Sequence, residues 1–276
     1  MNALAVTMIV ALAGATFLGA EVWAEGAFGR GAVRRRPSPA RDNLALKRVA
    51  IAADAERVNG RVDLRALRHA DYAPVPGRRA SAPYAVGKRL FDIVTATLLL
   101  LFFGPLLLIT MIAVKLETRG PALFRQARVG LDGREFQMLK IRSMRDDAER
   151  AGVRWASSDD PRVTRIGRII RRLRIDEIPQ ALNVLQGDMS FVGPRPERPE
   201  FVKILEREIP NYHLRHLVKP GITGWAQVKF HYGASVEDAR EKLRYDLYYV
   251  KHLSLFRDVA ILILTVRVAL FGIGSR

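Results

Sequence analysis

Two long apolar runs dominate the hydrophobic pattern of the chain. The first, ALAVTMIVALAGATFLGA at 3–20, has 18 residues and no charge, near the shortest length that crosses a bilayer at about 1.5 Å per residue. It lacks the basic n-region of a signal peptide, and Arg30, Arg34, Arg35 and Arg36 follow it. Positive-inside reasoning therefore predicts a transmembrane anchor over residues 1–23 with its N-terminus outside, and a cleaved signal is the competing reading. The second run, IVTATLLLLFFGPLLLITMIAV at 93–114, has 22 uncharged residues, nominally a helix of about 33 Å. Gly104 and Pro105 stand at its middle, where proline removes an amide donor and clashes with the carbonyl four residues back, so a bend is expected. Lys88 and Arg89 precede the run and Lys115 and Arg119 follow it, which assigns both ends to the cytoplasm. Two arms of about 17 Å each reach only half the hydrocarbon thickness. A re-entrant helix hairpin over 88–116 and a proline-kinked span both fit this pattern.

Beyond the second run the periods shorten. ALFRQARVGLDGREFQMLKIRSM at 122–144 reads as two strands around a Leu131-Asp132-Gly133 turn, with Phe124, Val129, Phe136, Met138 and Ile141 as candidate buried positions. RVTRIGRIIRRLR at 162–174 is an amphipathic helix with Ile166, Ile169, Ile170 and Leu173 on one face and Arg165, Arg168 and Arg172 on the other. A further helix is expected through Ile178, Leu182 and Leu185, capped by Asp176 or its neighbour, with Pro179 in its first turn and Gly187 ending it. SVEDAREKLRYDLYYVKHLS at 235–254 places Leu243, Leu247 and Val250 at helical spacing. The apolar tail at 255–272 is interrupted by Arg257, Asp258 and Arg267, and suits an interfacial or core-docked helix. Residues 24–84 carry little pattern beyond a weak helix at 43–58; rich in Arg, Ala, Gly and Pro, they read as a basic linker.

Charge narrows the partners. Lys and Arg number 45 against 28 Asp and Glu, a net charge of +17, which suits nucleic acid, an anionic membrane face or a phosphorylated small substrate. The chain has no cysteine, so disulfides, zinc-thiolate sites and cysteine nucleophiles are excluded. His213 and His216 form no metal set and read as surface or packing residues.

The pair Asp176-Glu177 in RRLRIDEIPQ is the least expected feature of so basic a surface. An aspartate at a helix start is ordinarily a cap. Beside Arg171, Arg172 and Arg174, at the positive end of a helix, it also lies where a phosphate would dock, and an ionised carboxylate there has the chemistry of a nucleophile or a magnesium ligand. The prolines of Gly193-Pro194-Arg195-Pro196 would hold the Arg195 guanidinium at low entropic cost. In VKPGITGWAQV, Trp225 and Gln227 are available to a ring or a ribose.

KRLFDIV before a run broken by Gly-Pro, then FRQARVG, KIRSM, DPRVTRIGRIIRR, IDEIPQALNVLQGDMSFVGPRP, KPGITGWAQV and YDLYYVKHLSL together resemble the bacterial sugar transferase family, the monotopic phosphoglycosyl transferases. The resemblance covers residues 85–272 and leaves residues 1–84 outside. It implies transfer of a sugar 1-phosphate from a UDP-sugar to a polyprenyl phosphate with release of UMP, and a requirement for Mg2+. It also implies that Gly104-Pro105 breaks a re-entrant helix. Asp176 matches the nucleophile of the family's dyad, which forms an aspartyl phosphosugar, and Glu177 matches its magnesium-linked partner, so Asp176 and Glu177 are the expected metal ligands. Arg171, Arg195 and Lys140 match residues expected to bind phosphate, and Gln227 is a weaker expectation for the donor pocket. Arg174-Ile175 replace the family's usual Ser or Thr followed by Leu, Gly104 replaces the usual Ser, and Ile141 the usual Phe.

The expected fold is α+β and predominantly helical: a re-entrant membrane helix hairpin, amphipathic interfacial helices and a small β-hairpin around a cytoplasmic active site. The expected organisation is an anchor at 1–23, a linker at 24–84, a transferase domain at 85–272 and a tail at 273–276. The implied location is the cytoplasmic face of the bacterial inner membrane. The implied partners are a UDP-sugar, polyprenyl phosphate and the membrane, with no nucleic acid, and a homo-oligomer stays open. The competing reading is a non-catalytic basic adaptor that binds anionic lipid or nucleic acid; no nucleic-acid motif accompanies it.

Overall fold

A computed structural model of the chain describes residues 82–148, 160–230 and 235–271, together with Glu56, residues 58–64, Leu67 and Gly233. The expected anchor, most of the linker including its 43–58 helix except Glu56 and Val58, and the tail at 273–276 lie outside the described residues.

The apolar second run becomes helix α1, Ala82–Glu117, with Pro105 inside it and no loop between two arms at Gly104-Pro105. Among the described residues it is the one helix long and apolar enough to cross a membrane, and only 17% of its most apolar window is buried. Its faces are divided. Ala96, Phe103 and Val114 are buried against the rest of the protein, while Leu101, Phe102, Leu108, Ile109, Ile112 and Leu116 are exposed.

Both ends of α1 are fastened to the same body. Near the start, Arg89 donates to the carbonyls of Val184 and Leu185 at 2.6 and 2.7 Å. Asp92 accepts from Ser190 Oγ and from the Phe191 amide, both at 3.0 Å. At the far end, Arg142 Nη2 donates to the carbonyl and hydroxyl of Thr118, each at 2.9 Å, and Glu117 accepts from the Arg165 and Ile166 amides. Two of the orphan donors that every helix start carries are thereby satisfied from the end of the long apolar helix.

The alternating stretch forms an antiparallel hairpin of β1, Leu123–Val129, and β2, Glu135–Ile141, joined by a 3-10 turn at Leu131–Gly133. Val129, Met138 and Ile141 are buried as expected, whereas Phe124, on the same face of the hairpin as Met138, is 38% exposed. Helix α2, Arg165–Arg172, is N-capped by Thr164, whose hydroxyl accepts from Gly167 N. Ile170 turns inward with Ile166, but Ile169 and Leu173 face out among the arginines. The helix is thus apolar on both its packed and its open side.

Helix α3, Gln180–Gln186, ends at Gly187 in the left-handed region (φ 96°), as expected of that glycine. β3, Ser190–Val192, pairs in parallel with β4, Gly221–Thr223. The connection carries α4, Pro199–Glu208, and a 3-10 turn at Tyr212–Leu217. Then follow α5, Trp225–Lys229, α6, Val236–Lys251, and α7, Leu255–Phe271. Leu243 and Leu247 of α6 are fully buried, and α7 docks in the core through Asp258, Ile261, Leu262 and Val266.

Part of the stretch expected to be linker belongs to this body. Val62 is 4% exposed within a core cluster, and its amide donates to the Arg244 carbonyl at 3.1 Å. Arg244 Nε donates back to the Val62 carbonyl, Trp225 Nε1 to the Gly60 carbonyl, and Lys251 Nζ to Glu56 Oε2. The family motifs begin beyond this segment, so nothing in the resemblance points to it.

Candidate active site

The site forms where four pieces of backbone meet: β2, the turn after α2, the start of α3, and the loop after β3. Asp176 and Glu177 sit in a 3-10 turn, Ile175–Glu177, and the helical segment that follows has Pro179 at its N-cap. The expectation that Asp176 caps this helix is therefore corrected. Pro179 itself takes helical angles (φ −59°, ψ −18°) and i to i+3 hydrogen bonds carry the turn into α3, so the carboxylates lie one turn before it. Neither makes a capping hydrogen bond to the start of α3. Arg174, just before the turn, has φ 56° and ψ 23°. This left-handed conformation costs a side-chain-bearing residue about 1–2 kcal/mol, and it directs the chain so that both carboxylates enter the protein.

Asp176 and Glu177 are 7% and 9% exposed. Glu177 is gripped by three cations: Arg195 Nη2 lies 2.6 Å and Lys140 Nζ 3.5 Å from Oε1, and Arg174 Nη1 lies 3.6 Å from Oε2. Burial alone would raise its pKa, but Arg195, Lys140 and Arg174 outweigh burial and hold the carboxyl well below its usual range. Asp176 goes the other way. Burial, then the charge of Glu177, push it up to about 6 against the pull of Lys140, Arg171 and Arg195. Burial likewise brings Lys140 down to about 8, with Glu177 opposing. Near neutrality the pair thus holds one carboxylate locked among cations and one that is ionised without a fixed partner, a division of roles seen where acid–base or nucleophilic work is done.

The expected site residues fall into two groups. Lys140, Arg195, Asp176 and Glu177 come together directly. Arg171, on the last turn of α2, lowers the Asp176 pKa through its charge without an ion pair to it. Gln227 donates through its amide to the Ile222 carbonyl at 3.0 Å, tying α5 to β4. Trp225 is engaged too, stacked on Tyr248 at 6.0 Å between centroids and bonded through its indole nitrogen to Gly60. Gly104 and Pro105 lie on α1, where a β-carbon at Gly104 would meet nothing within 4 Å.

The two glycine-bearing motifs are halves of one structure. Ideal β-carbons would lie 2.3 Å from the Lys219 carbonyl oxygen at Gly193 and 2.1 Å from the Gly193 amide nitrogen at Gly221. The Gly193-Pro194-Arg195 loop can therefore lie against 219–224 only without side chains at those places. His216 is buried edge-on against Tyr212, in agreement with a packing role, and burial lowers its pKa to about 3.

Sequence reasoning placed Arg174 beside the pair without a partner for it, and missed two other contributors. Arg174 reaches Glu177, Arg128 supports the backbone beside Arg195, and Arg215 does so from the other side. Arg128 lies within FRQARVG, where its register one residue before the buried Val129 offered a signal; Arg215 pairs with a residue 31 positions away and offered none.

Among the described residues, no three His, Cys, Asp or Glu side chains converge as a metal cluster. Two adjacent carboxylates remain, a set that suits a magnesium ion completed by substrate phosphate and water.

Over 193 residues the chain is 50% identical to a UDP-N-acetylgalactosamine-undecaprenyl-phosphate N-acetylgalactosaminephosphotransferase of Aeromonas hydrophila, covering 70% of this chain and 46% of that protein. It is 48% identical over 181 residues to a UDP-glucose:undecaprenyl-phosphate glucose-1-phosphate transferase of Caulobacter vibrioides, covering 65% and 68%. The same activity names an Escherichia coli relative, 44% identical over 181 residues, of which 39% is covered. The chain thus spans less than half the length of two of these three relatives. Residues 83–272, from the first turn of α1 to just past the end of α7, match the family model for bacterial sugar transferases, and the chain belongs to that family.

Proposed function

We propose that the protein transfers a sugar 1-phosphate from a UDP-sugar to a polyprenyl phosphate, as the names of its relatives say of them. The observation that carries this reading is the asymmetric carboxylate pair: Glu177 fixed by Arg195, Lys140 and Arg174, and Asp176 buried beside it with no ion pair of its own. In the first half-reaction an Asp176 oxygen attacks the β-phosphorus of the donor. The bond from that phosphorus to the bridging oxygen breaks, UMP leaves with the oxygen, and the phosphosugar stays on Asp176. In the second, an oxygen of the polyprenyl phosphate attacks the same phosphorus and frees the carboxylate. Storing the group on the protein lets a soluble donor and a lipid acceptor use one site in turn.

Arg195, Lys140 and Arg171 would receive the donor's phosphates, and cations held in place before the reaction stabilise charge developing on the leaving group. Mg2+, held by Asp176 and Glu177 together with the donor's phosphates, would neutralise phosphate charge.

The membrane placement belongs to the same proposal. The exposed apolar side of α1, the outward Ile169 and Leu173 of α2 and the arginines beside them suit an interface between lipid and water. The attachment of both ends of α1 to one body supports a re-entrant path that keeps the site on the cytoplasmic face of the inner membrane.

The test is an assay of membranes carrying the protein with polyprenyl phosphate, Mg2+ and a panel of UDP-sugars, following UMP. The expected result is UMP release from at least one donor that exceeds one equivalent of protein only when acceptor is present, abolished by chelation. Silence with every donor, alongside salt-sensitive binding to anionic vesicles, would instead favour the non-catalytic adaptor.

A further inference from the structure

The Arg195 loop has an unusual set of supports. Between Pro194 and Glu197, four successive carbonyls each accept a hydrogen bond from a different residue. Pro194 O takes the Gly221 amide at 2.9 Å, Arg195 O takes Arg215 Nη2 at 2.9 Å, Pro196 O takes Arg128 Nη1 at 3.0 Å, and Glu197 O takes the Val129 amide at 3.0 Å. Two of these four residues are prolines without an amide hydrogen, so the carbonyls are the loop's principal handles.

The support at Arg195 itself is the most elaborate. Arg215 is 6% exposed and Asp246, on α6, is 2% exposed. Arg215 donates through Nε and Nη2 to Asp246 Oδ2 at 3.1 and 2.7 Å, and through Nη1 to the Tyr212 hydroxyl at 2.7 Å. Its position is thereby fixed before it meets Arg195. From the Arg195 backbone the side chain then runs the other way, to Glu177. A guanidinium fork serves these acceptors together; an ammonium on a flexible stem does not.

We propose that the buried Arg215–Asp246 pair is a positioning device for Arg195, setting its backbone so that the guanidinium meets Glu177 and the donor's phosphate. The inference rests on the proposed transferase reading. A pair that merely tied the 212–217 turn to α6 would not need its Nη2 aimed at the carbonyl of a site residue.

The test is a double-mutant cycle on UMP release with the full chain in membranes. Wild type and Arg195→Ala come first: absence of activity in the wild type refutes the transferase reading rather than this one. Arg215→Lys is expected to lower kcat by about 10–100-fold, the scale on which misplacing a group by an ångström acts, with little change in donor KM. In the Arg195→Ala background the same substitution should change the rate by less than about 2-fold. Equal losses in both backgrounds, or no loss in either, would overturn the positioning role. Asp246→Asn, which preserves shape and one acceptor oxygen, runs through the same cycle; if neither variant yields folded protein, the pair is purely structural and the proposal fails. Hydrogen exchange gives a readout independent of turnover: the Gly221 and Val129 amides, which donate to the loop's Pro194 and Glu197 carbonyls, should exchange faster in Arg215→Lys, and unchanged protection there contradicts the proposal.

Discussion

Asp176 and Glu177 are neighbours in one turn, yet their surroundings separate them. Glu177 faces Arg195, Lys140 and Arg174, while Asp176 carries the cost of burial and of its neighbour's charge. The attacking carboxylate must be ionised, so activity should fall as pH drops through about 6, and the loss of charge on Lys140 should lower it again as pH rises through about 8. A kcat/KM profile between pH 5 and 9 checks this, and a rate flat across the acid limb would contradict it. Glu177→Gln removes the second of the two causes that raise Asp176, so the acid limb should move to lower pH even as the rate falls; burial, the larger cause, remains, and the shift is partial. The identity of the pair was legible in the sequence through its motif. Its geometry was not, because a proline that takes helical angles can continue a turn as well as start a helix.

At the scale of elements, local pattern carried far. The hairpin, the inward positions Val129, Met138 and Ile141, the helix at 165–172 and the glycine stop at Gly187 all follow from period and punctuation. What escaped were contacts between distant parts: Arg215 with Asp246, and Glu56, Gly60 and Val62 with α5 and α6. The latter has a measurable weight. Burying a valine such as Val62 contributes about 1.5–3 kcal/mol, and in a domain of this size each kcal/mol moves Tm by about 2–4 °C. A chain beginning at residue 78 should therefore melt roughly 5 °C or more below one beginning at residue 50, both in the same detergent. Equal melting temperatures would mean that the segment packs without contributing stability.

For the molecule as a whole, the net charge of +17 and the apolar face of α1 suit the proposed place at an anionic surface. Composition made that legible, but it left open whether α1 crosses the membrane or returns. The attachment of both helix ends to one body argues for return. Native cysteine is absent, so single cysteines report cleanly: Val86→Cys and Arg119→Cys replace residues exposed at the two ends of α1. Both should react with an impermeant thiol reagent from the cytoplasmic side alone. Reaction from opposite sides would establish a span and remove the proposed topology.

The central claim is that Asp176 carries the phosphosugar, and the direct measurement is the mass of the protein after incubation with its UDP-sugar and Mg2+ in the absence of any lipid acceptor. The account predicts about one equivalent of UMP, a mass increase of one phosphosugar localised to Asp176, its discharge on addition of polyprenyl phosphate, and none of these with Asp176→Asn. UMP formed only when acceptor is present, with no adduct at any stage, or undiminished turnover by Asp176→Asn, would contradict it.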